Sequence, residues 1–390
     1  MTPVVSLDRR AAAGADSLSA GFVLERNVGH AALAAQIENG MAAFSDIEAR
    51  YVPVTFHQPG GLVERLPLPS YLRASYRARL QVRRGLGRWK PDVIFWNTQK
   101  PAVLCPDVLR GSPSVICLDV TPLQYDEIGE TYGHAPDRLV PVAKAKHATN
   151  RWIFRHARRL VPWTEWAAHS LANSYGVPTS NIEVIPPGTD LARFRPIATR
   201  PSETGSPVRL LFVGGDFVRK GGDVLLEWFR TSPAAKSCVL HLVTRDEVPS
   251  MPGVVKHSLA YEDERLTELY RTADIFVMPT RAECFGIVLT EAMACAAPVV
   301  TCPVGGVPEV VRDHETGLMV KPGDVQSLDQ ALTKLVRDAD LRRRLGLRGR
   351  AVAEERFDTK KNVARIVEVL RSVAAEDRQR SGRRRASRAA

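Results

Sequence analysis

Short apolar runs rich in β-branched residues recur along this chain, and the stretches between them are long enough for helices and carry apolar residues at helical spacing. This alternation is the pattern of stacked strand–helix units around parallel sheets, which makes the fold class α/β. In the first half the expected strands are 21–25, 51–55, 92–96, 114–118, 159–162 and 183–185; in the second they are 209–213, 239–243, 254–257, 275–278 and 299–301. They make two sheets of five or six strands each. Between the two sets lies IPPGTDLARFRPIATRPSETGSP, whose Pro, Gly, Ser and Thr continue neither helix nor sheet. A length of 390 residues accommodates two domains of roughly 150–200 residues each. The expected order is therefore a disordered tail over 1–20, a first domain over 21–185, a linker over 186–207, a second domain over 208–358, a helix over 359–375 and a disordered basic tail over 376–390.

Charge narrows the partners less than the pattern narrows the fold. The net charge of +11 is uneven: residues 1–200 hold 24 Lys and Arg against 17 acids, residues 201–375 hold 24 against 24, and residues 376–390 hold 6 against 2. A basic first half attracts nucleic acid, an anionic membrane surface or a phosphorylated substrate, and charge alone does not choose among them. Single-strand stacking motifs, helix-turn-helix patterns and zinc spacings are absent from the sequence, which argues against nucleic acid. Residues 70–90 contain seven Lys and Arg and no acid, with Tyr71, Leu72, Tyr76, Leu80 and Trp89 interspersed. Such a segment suits either peripheral contact with an anionic membrane or a solvated basic helix face. No apolar run reaches the roughly 18 residues of a membrane span, and the first residues lack the layout of a secretory signal. The expected location is the cytoplasm, and peripheral contact at the inner face of the membrane is one of the two readings that residues 70–90 leave open. The six cysteines show no C-x-x-C pair and sit mostly in apolar runs, so they read as small buried hydrophobes rather than metal ligands.

Two segments carry chemistry. The first is ADIFVMPTRAECFGIVLTEAMACAAPVVTCPVGGVPEVV, read as a strand, a loop with Glu283 and Gly286, a helix from Ile287 that contains Glu291, and a second strand ending at Gly305-Gly306. The free N–H groups and positive dipole end of that helix face the crevice at the strand's carboxyl end, a ready site for a diphosphate. Glu291 lies roughly 6 Å along the axis from the helix start, where a carboxylate accepts two ribose hydroxyls, and Glu283 faces the sugar beyond the phosphates. The second segment, LLFVGGDFVRKGGDVLLEWF, is a strand ending in Gly214-Gly215, a loop with Arg219 and Lys220, and a helix. Its glycines allow close backbone approach and its two cations suit a nucleotide diphosphate.

The E-x(7)-E spacing of Glu283 and Glu291, with F-G-x-x-x-x-E inside it, resembles glycosyltransferase family four. Arg219 and Lys220 look like that family's phosphate-binding pair, although many members carry Arg where this chain has Gly215. VIPPGTDLARFRP, with Gly188, Asp190 and Phe194, resembles the family's interdomain stretch, and RFDTKKNVARIVEVLRSV its terminal helix that crosses back to the first domain. The resemblance implies the GT-B fold, two Rossmann-like domains whose parallel sheets face a central cleft, with the acceptor on the first and the nucleotide sugar on the second. It implies a retaining, metal-independent transfer of a hexose-type sugar from a nucleotide diphosphate sugar to an acceptor hydroxyl, in glycan, glycolipid or polysaccharide biosynthesis.

Residue by residue, the resemblance makes Glu283, Asp119, Lys220 and Arg219 the catalytic candidates. Gly214, Gly215, Arg219, Lys220, Arg245, Glu283, Cys284, Phe285, Gly286, Ile287, Val288 and Glu291 would bind the donor. On the acceptor side stand Gly29, His30, Asn97, Gln99, Lys100 and Thr121 at strand ends of the first half. Family members commonly have a His before Asp at the end of strand 114–118, whereas this chain has Leu118 before Asp119, and His134 in the following loop is a further candidate. No metal or other cofactor is expected, since no D-x-D segment stands where it would hold an ion between carboxylates and phosphates. A nucleotide-sugar epimerase or another GT-B enzyme remains the alternative; LLFVGGDFVRKGG does not match the G-x-G-x-x-G of a nicotinamide oxidoreductase.

Overall fold

Runs such as VIFW and IFVM bury every residue, as parallel strands covered on both faces require. The computed structural model describes residues 17–26, 28–137, 139–197 and 206–389, without the side chains of Val28 and 384–389. Eleven strands are described: β1 Leu18–Glu25, β2 Ile47–Val54, β3 Val93–Trp96, β4 Ser114–Leu118, β5 Arg159–Pro162, β6 Val208–Val213, β7 Cys238–Val243, β8 Val254–His257, β9 Ile275–Met278, β10 Val299–Thr301 and β11 Gly317–Met319. One sheet has the order β2-β1-β3-β4-β5 and the other β11-β10-β9-β6-β7-β8. Every pairing of known register is parallel.

The order matters for function. In the second sheet the chain runs outward from β6 through β7 to β8 and, on the other side, from β9 through β10 to β11. The neighbours β6 and β9 therefore send their following loops in opposite directions, and the crevice outside their carboxyl ends is where open α/β sheets bind ligands. In the first sheet β1 and β3 have the same relation.

Contacts divide the chain into two compact units, one of residues up to Cys117 with Trp152–Leu160 and the chain from Ile366, the other of Leu118–Arg151 and Val161–Arg365. Several expectations need correction. Residues 183–185 form no strand: Ile185 N–H reaches the Pro162 carbonyl at 3.1 Å, but Pro186 and Pro187 bring no N–H to extend a ladder. The strand β11 went unread because only Leu318 and Met319 mark it as apolar. Strand β1 begins at Leu18, inside the expected tail; residues 1–16 and 198–205 lie outside the described residues.

The helix Thr359–Ala389 runs through the segment expected to be a disordered tail. Arg, Ala and Gln are good helix formers, and within the first unit Glu376 pairs with Arg159 at 2.5 Å, Asp377 with Arg158 at 3.0 Å and Arg378 with Asp92 at 3.2 Å. Among the described residues no helix is long and apolar enough to cross a membrane.

Gly188 sits buried where Thr189 bridges to Asp358, with Thr189 N–H donating to the Phe357 carbonyl at 2.6 Å. A β-carbon on Gly188 would stand 2.2 Å from the Thr359 α-carbon, a backbone atom that cannot step aside alone. Gly188→Ala should therefore cost about 1–3 kcal/mol and lower the Tm by several degrees in a thermal melt followed by circular dichroism. An unchanged Tm would show that this crossing of chain segments is loose.

Candidate active site

The two chemical segments meet at the switch point of the second sheet. β6 delivers the loop 214–221, and β9 delivers the loop 279–286. Thr280 Oγ1 donates to the Arg219 carbonyl at 3.2 Å, Arg281 N–H to the same carbonyl at 2.9 Å, and Arg219 Nη1 to the Ala282 carbonyl at 2.8 Å. Arg281 also forks onto Asp223 with two bonds of 2.7 Å, fixing the helix Gly222–Thr231 behind the loop. Arg219 is 9% exposed, and its charge is met by Asp216 at 3.0 Å and Glu283 at 3.8 Å. Lys220 Nζ lies 3.2 Å from Glu283 Oε2. That oxygen is buried and accepts no hydrogen bond, so it sees the lysine's charge while a directed acceptor position stays unfilled. The close packing needs glycine: a β-carbon on Gly214 would press on Lys220 Cδ at 2.8 Å.

The helix Ile287–Ala294 starts directly after Gly286, which adopts a left-handed conformation with φ 85° that a side chain would resist. The backbone beneath is fixed from the other side, where Gly305 with φ 53° comes so close that a β-carbon would lie 2.1 Å from the Glu283 carbonyl oxygen. Ile287 and Val288 are half-buried at the helix start. Phe285 is buried edge-on against Trp163 and Phe357, and its ring anchors the loop. Glu291 is buried inside the first turns; burial pushes its carboxyl up to about 7, against the pull of the Tyr270 hydroxyl, the Arg193 charge, the Tyr261 hydroxyl and the Lys220 charge.

Other sequence candidates separate into those near this cluster and those committed elsewhere. Asp119, half-buried after β4, lies close enough to help hold the Cys284 thiol and the Tyr125 hydroxyl above their ordinary values, in both cases behind the larger effect of burial. Arg245 is exposed on the loop after β7, and its neighbour Asp246 accepts the Phe217 N–H of the loop 214–221 at 2.7 Å. Gly215 has open space where a side chain would stand. Thr121 caps the helix Pro122–Ile128 in a capping box with Gln124 and meets Ser170 at 2.7 Å, so its hydroxyl is used structurally. His134 is tied to Asp126 at 2.7 Å.

In the first unit, Asn97 is fully buried and its amide bridges the Glu25 backbone, accepting at 2.7 Å and donating at 2.9 Å. That interaction ties the ends of β1 and β3 together. Gly29 and His30 lie in the first turn of the helix Val28–Met41, Gln99 accepts from Thr98 at 3.1 Å, and exposed Lys100 lies over Phe56. Among the described residues no three or more His, Cys, Asp and Glu come together as metal ligands. The chain's one D-x-D triplet, Asp338–Asp340, begins the helix Ala339–Arg356, with Asp338 accepting the Leu341 N–H at 2.8 Å.

Three features escaped the sequence reading. Tyr132 lays its ring 4.2 Å from the Arg219 guanidinium and its hydroxyl 3.8 Å from Cys284 Sγ. Tyr261 and Tyr270 face Glu291 from the stretch after β8. Glu309 of the G-G-V-P-E run accepts the backbone N–H groups of Glu165 and Trp166, both at 2.7 Å, at the start of the helix Glu165–Tyr175. Only Glu309 had a signal, its place in a recognised run; the tyrosines depend on contacts between distant segments.

Two family models match the chain, the one described as Glycosyltransferase Family 4 over residues 39–193 and the one described as Glycosyl transferases group 1 over residues 250–352. A D-inositol 3-phosphate glycosyltransferase from Acidothermus cellulolyticus is 34% identical over 259 residues, 60% of this chain and 57% of that protein. Another of that name from Nocardia farcinica is 33% identical, over 57% of this chain and 53% of that protein. The chain thus spans little more than half the length of these curated relatives. Among solved structures, sucrose-phosphate synthase from Thermosynechococcus elongatus superposes with a TM-score of 0.74 at 17% identity, covering 92% of this chain and 100% of that one. HepE from Anabaena, solved with UDP-glucose, gives 0.63 at 18%, covering 91% and 100%. The strand order, the loops at its switch point and these matches agree, and the chain belongs to glycosyltransferase family four, with the GT-B fold.

Proposed function

We propose that this chain is a retaining glycosyltransferase that moves a hexose-type sugar from a nucleotide diphosphate sugar to an acceptor hydroxyl without a metal ion, in the cytoplasm. The observation that carries this reading is the convergence of Arg219, Lys220 and Glu283 at the start of the helix that contains Glu291. The complexes of HepE with UDP and with UDP-glucose support a nucleotide-sugar donor on this fold. The names of the curated relatives support sugar transfer, while the partial coverage leaves their inositol phosphate acceptor with them.

In this reading the bond between the sugar's anomeric carbon and the diphosphate oxygen breaks with little help from a nucleophile. Charge growing on the leaving oxygen is met by Arg219, Lys220 and the free N–H groups of the helix start, in a setting already low in water. Glu283, whose buried Oε2 lies 3.2 Å from Lys220 Nζ, takes a sugar hydroxyl and steadies the positive character of the ring. The acceptor hydroxyl adds from the face that the diphosphate leaves, and the diphosphate takes its proton. Asp119, close to Cys284, is a further catalytic candidate beside this cluster, and Glu291 holds the ribose.

The two glutamates separate by experiment. Glu291 holds ribose equally in ground and transition states, so Glu291→Ala should mainly raise the donor KM, by about 10- to 150-fold for charged hydrogen bonds of roughly 1.5–3 kcal/mol. Because the carboxyl ionises near 7 and only the ionised form accepts two hydroxyls, donor affinity should fall as the pH drops below about 7. Glu291→Gln should flatten that dependence; a wild-type donor KM that is level from pH 8 to pH 5 would remove the ribose role. Glu283→Gln should instead lower kcat, since its contact strengthens only as the sugar becomes positive. A kcat within about twofold of wild type is too small for a lost transition-state contact of even 1 kcal/mol and would make this carboxylate structural.

A further inference from the structure

The helix Ser70–Leu86 buries Ser75, Arg77, Ala78, Val82 and Leu86 and turns Tyr76, Leu80, Arg83 and Arg84 to solvent. Tyr76 is 39% exposed and Leu80 46%, and in the stretch before them Leu62 is 80%, Leu68 42% and Tyr71 39% exposed. These five are all the exposed large apolar side chains among the described residues of the first unit. Single exposed leucines are ordinary, but Tyr76 and Leu80 stand one turn apart on the solvent face of the helix together with Arg83 and Arg84, an apolar and basic face that suits a partner surface.

The charge on the same stretch says which partner. Residues 62–90 hold eight Lys and Arg against one acid, Glu64. Half of these cations secure the stretch itself: Arg77 pairs with Glu64, Arg79 and Arg83 pair with Asp107 at 2.7 Å each, and Arg73 donates to the Glu64 carbonyl at 2.9 Å. Arg65, Arg84, Arg88 and Lys90 are exposed and have no partner among the described residues. Free cations interleaved with leucine and tyrosine side chains fit a surface that is anionic outside and apolar a few ångströms below. We propose that residues 62–90 form a docking face for an anionic lipid bilayer. The apolar side chains enter the interface, and the four unpaired cations hold lipid phosphates.

The test is flotation of the full chain with vesicles of phosphatidylcholine, alone or mixed with phosphatidylglycerol. Recovery should need the anionic lipid and fall at high salt. Arg84→Glu with Arg88→Glu should weaken binding at least about tenfold, and Tyr76→Ser with Leu80→Ser should weaken it at unchanged charge. A control of equal charge change, Arg343→Glu with Arg344→Glu on exposed positions of the helix Ala339–Arg356, should bind like wild type. Circular dichroism of each variant separates lost binding from lost folding. Equal recovery with both vesicle types, or a control as weak as the Arg84 and Arg88 variant, overturns the proposal. So does release of the bound chain by a single-stranded oligonucleotide in the presence of excess anionic lipid, which assigns the face to nucleic acid.

Discussion

A nearly buried guanidinium governs the arrangement of the site. Arg219 is held between Asp216 on its own loop, the Ala282 carbonyl on the neighbouring loop and the face of Tyr132. A charge with so little access to water must be compensated on several sides, and each compensating group is thereby fixed relative to the others. The loops after β6 and β9 then hold one conformation, Lys220 meets Glu283, and the helix carrying Glu291 starts at a defined point. Preorganisation of this kind is what electrostatic catalysis needs, because donors aligned before the reaction lose nothing in reorienting.

The same economy appears in the backbone. Gly305 packs on the Glu283 carbonyl and Gly306 N–H donates to the Cys284 carbonyl at 3.2 Å, so the turn after β10 supports the loop after β9. Three successive strand ends therefore cooperate at one place. Glu309, a few residues on, spends its carboxylate on two backbone N–H groups at the start of the helix Glu165–Tyr175. The G-G-V-P-E run is thus a support that joins segments far apart in sequence.

What the sequence disclosed follows from how local each signal is. Five of the six strands of the second half and the helix start at Ile287 were legible because a buried parallel strand is a continuous apolar run and a left-handed glycine after it ends the loop. Arg219, Lys220, Glu283 and Glu291 could be named because each sits at a fixed distance from such a strand. Asn97 and Thr121 were read only as polar residues at strand ends, and the fold adds that one bridges β1 to β3 and the other caps a helix. The covering ring of Tyr132 had no local signal. The helix over 376–389 was missed because its basic composition reads as disorder until Asp92, Arg158 and Arg159 are known to lie alongside.

The central claim is that the carboxyl ends of β6 and β9 hold a nucleoside diphosphate through protein cations. Isothermal titration of UDP and of GDP into the wild-type chain in EDTA tests it most directly. The account predicts saturable binding of at least one of them without metal, weakened at least tenfold in the Lys220→Ala variant, as the loss of a charged hydrogen bond of about 1.5–3 kcal/mol requires. Binding that appears only when magnesium or manganese is restored, or that Lys220→Ala leaves untouched, would contradict it.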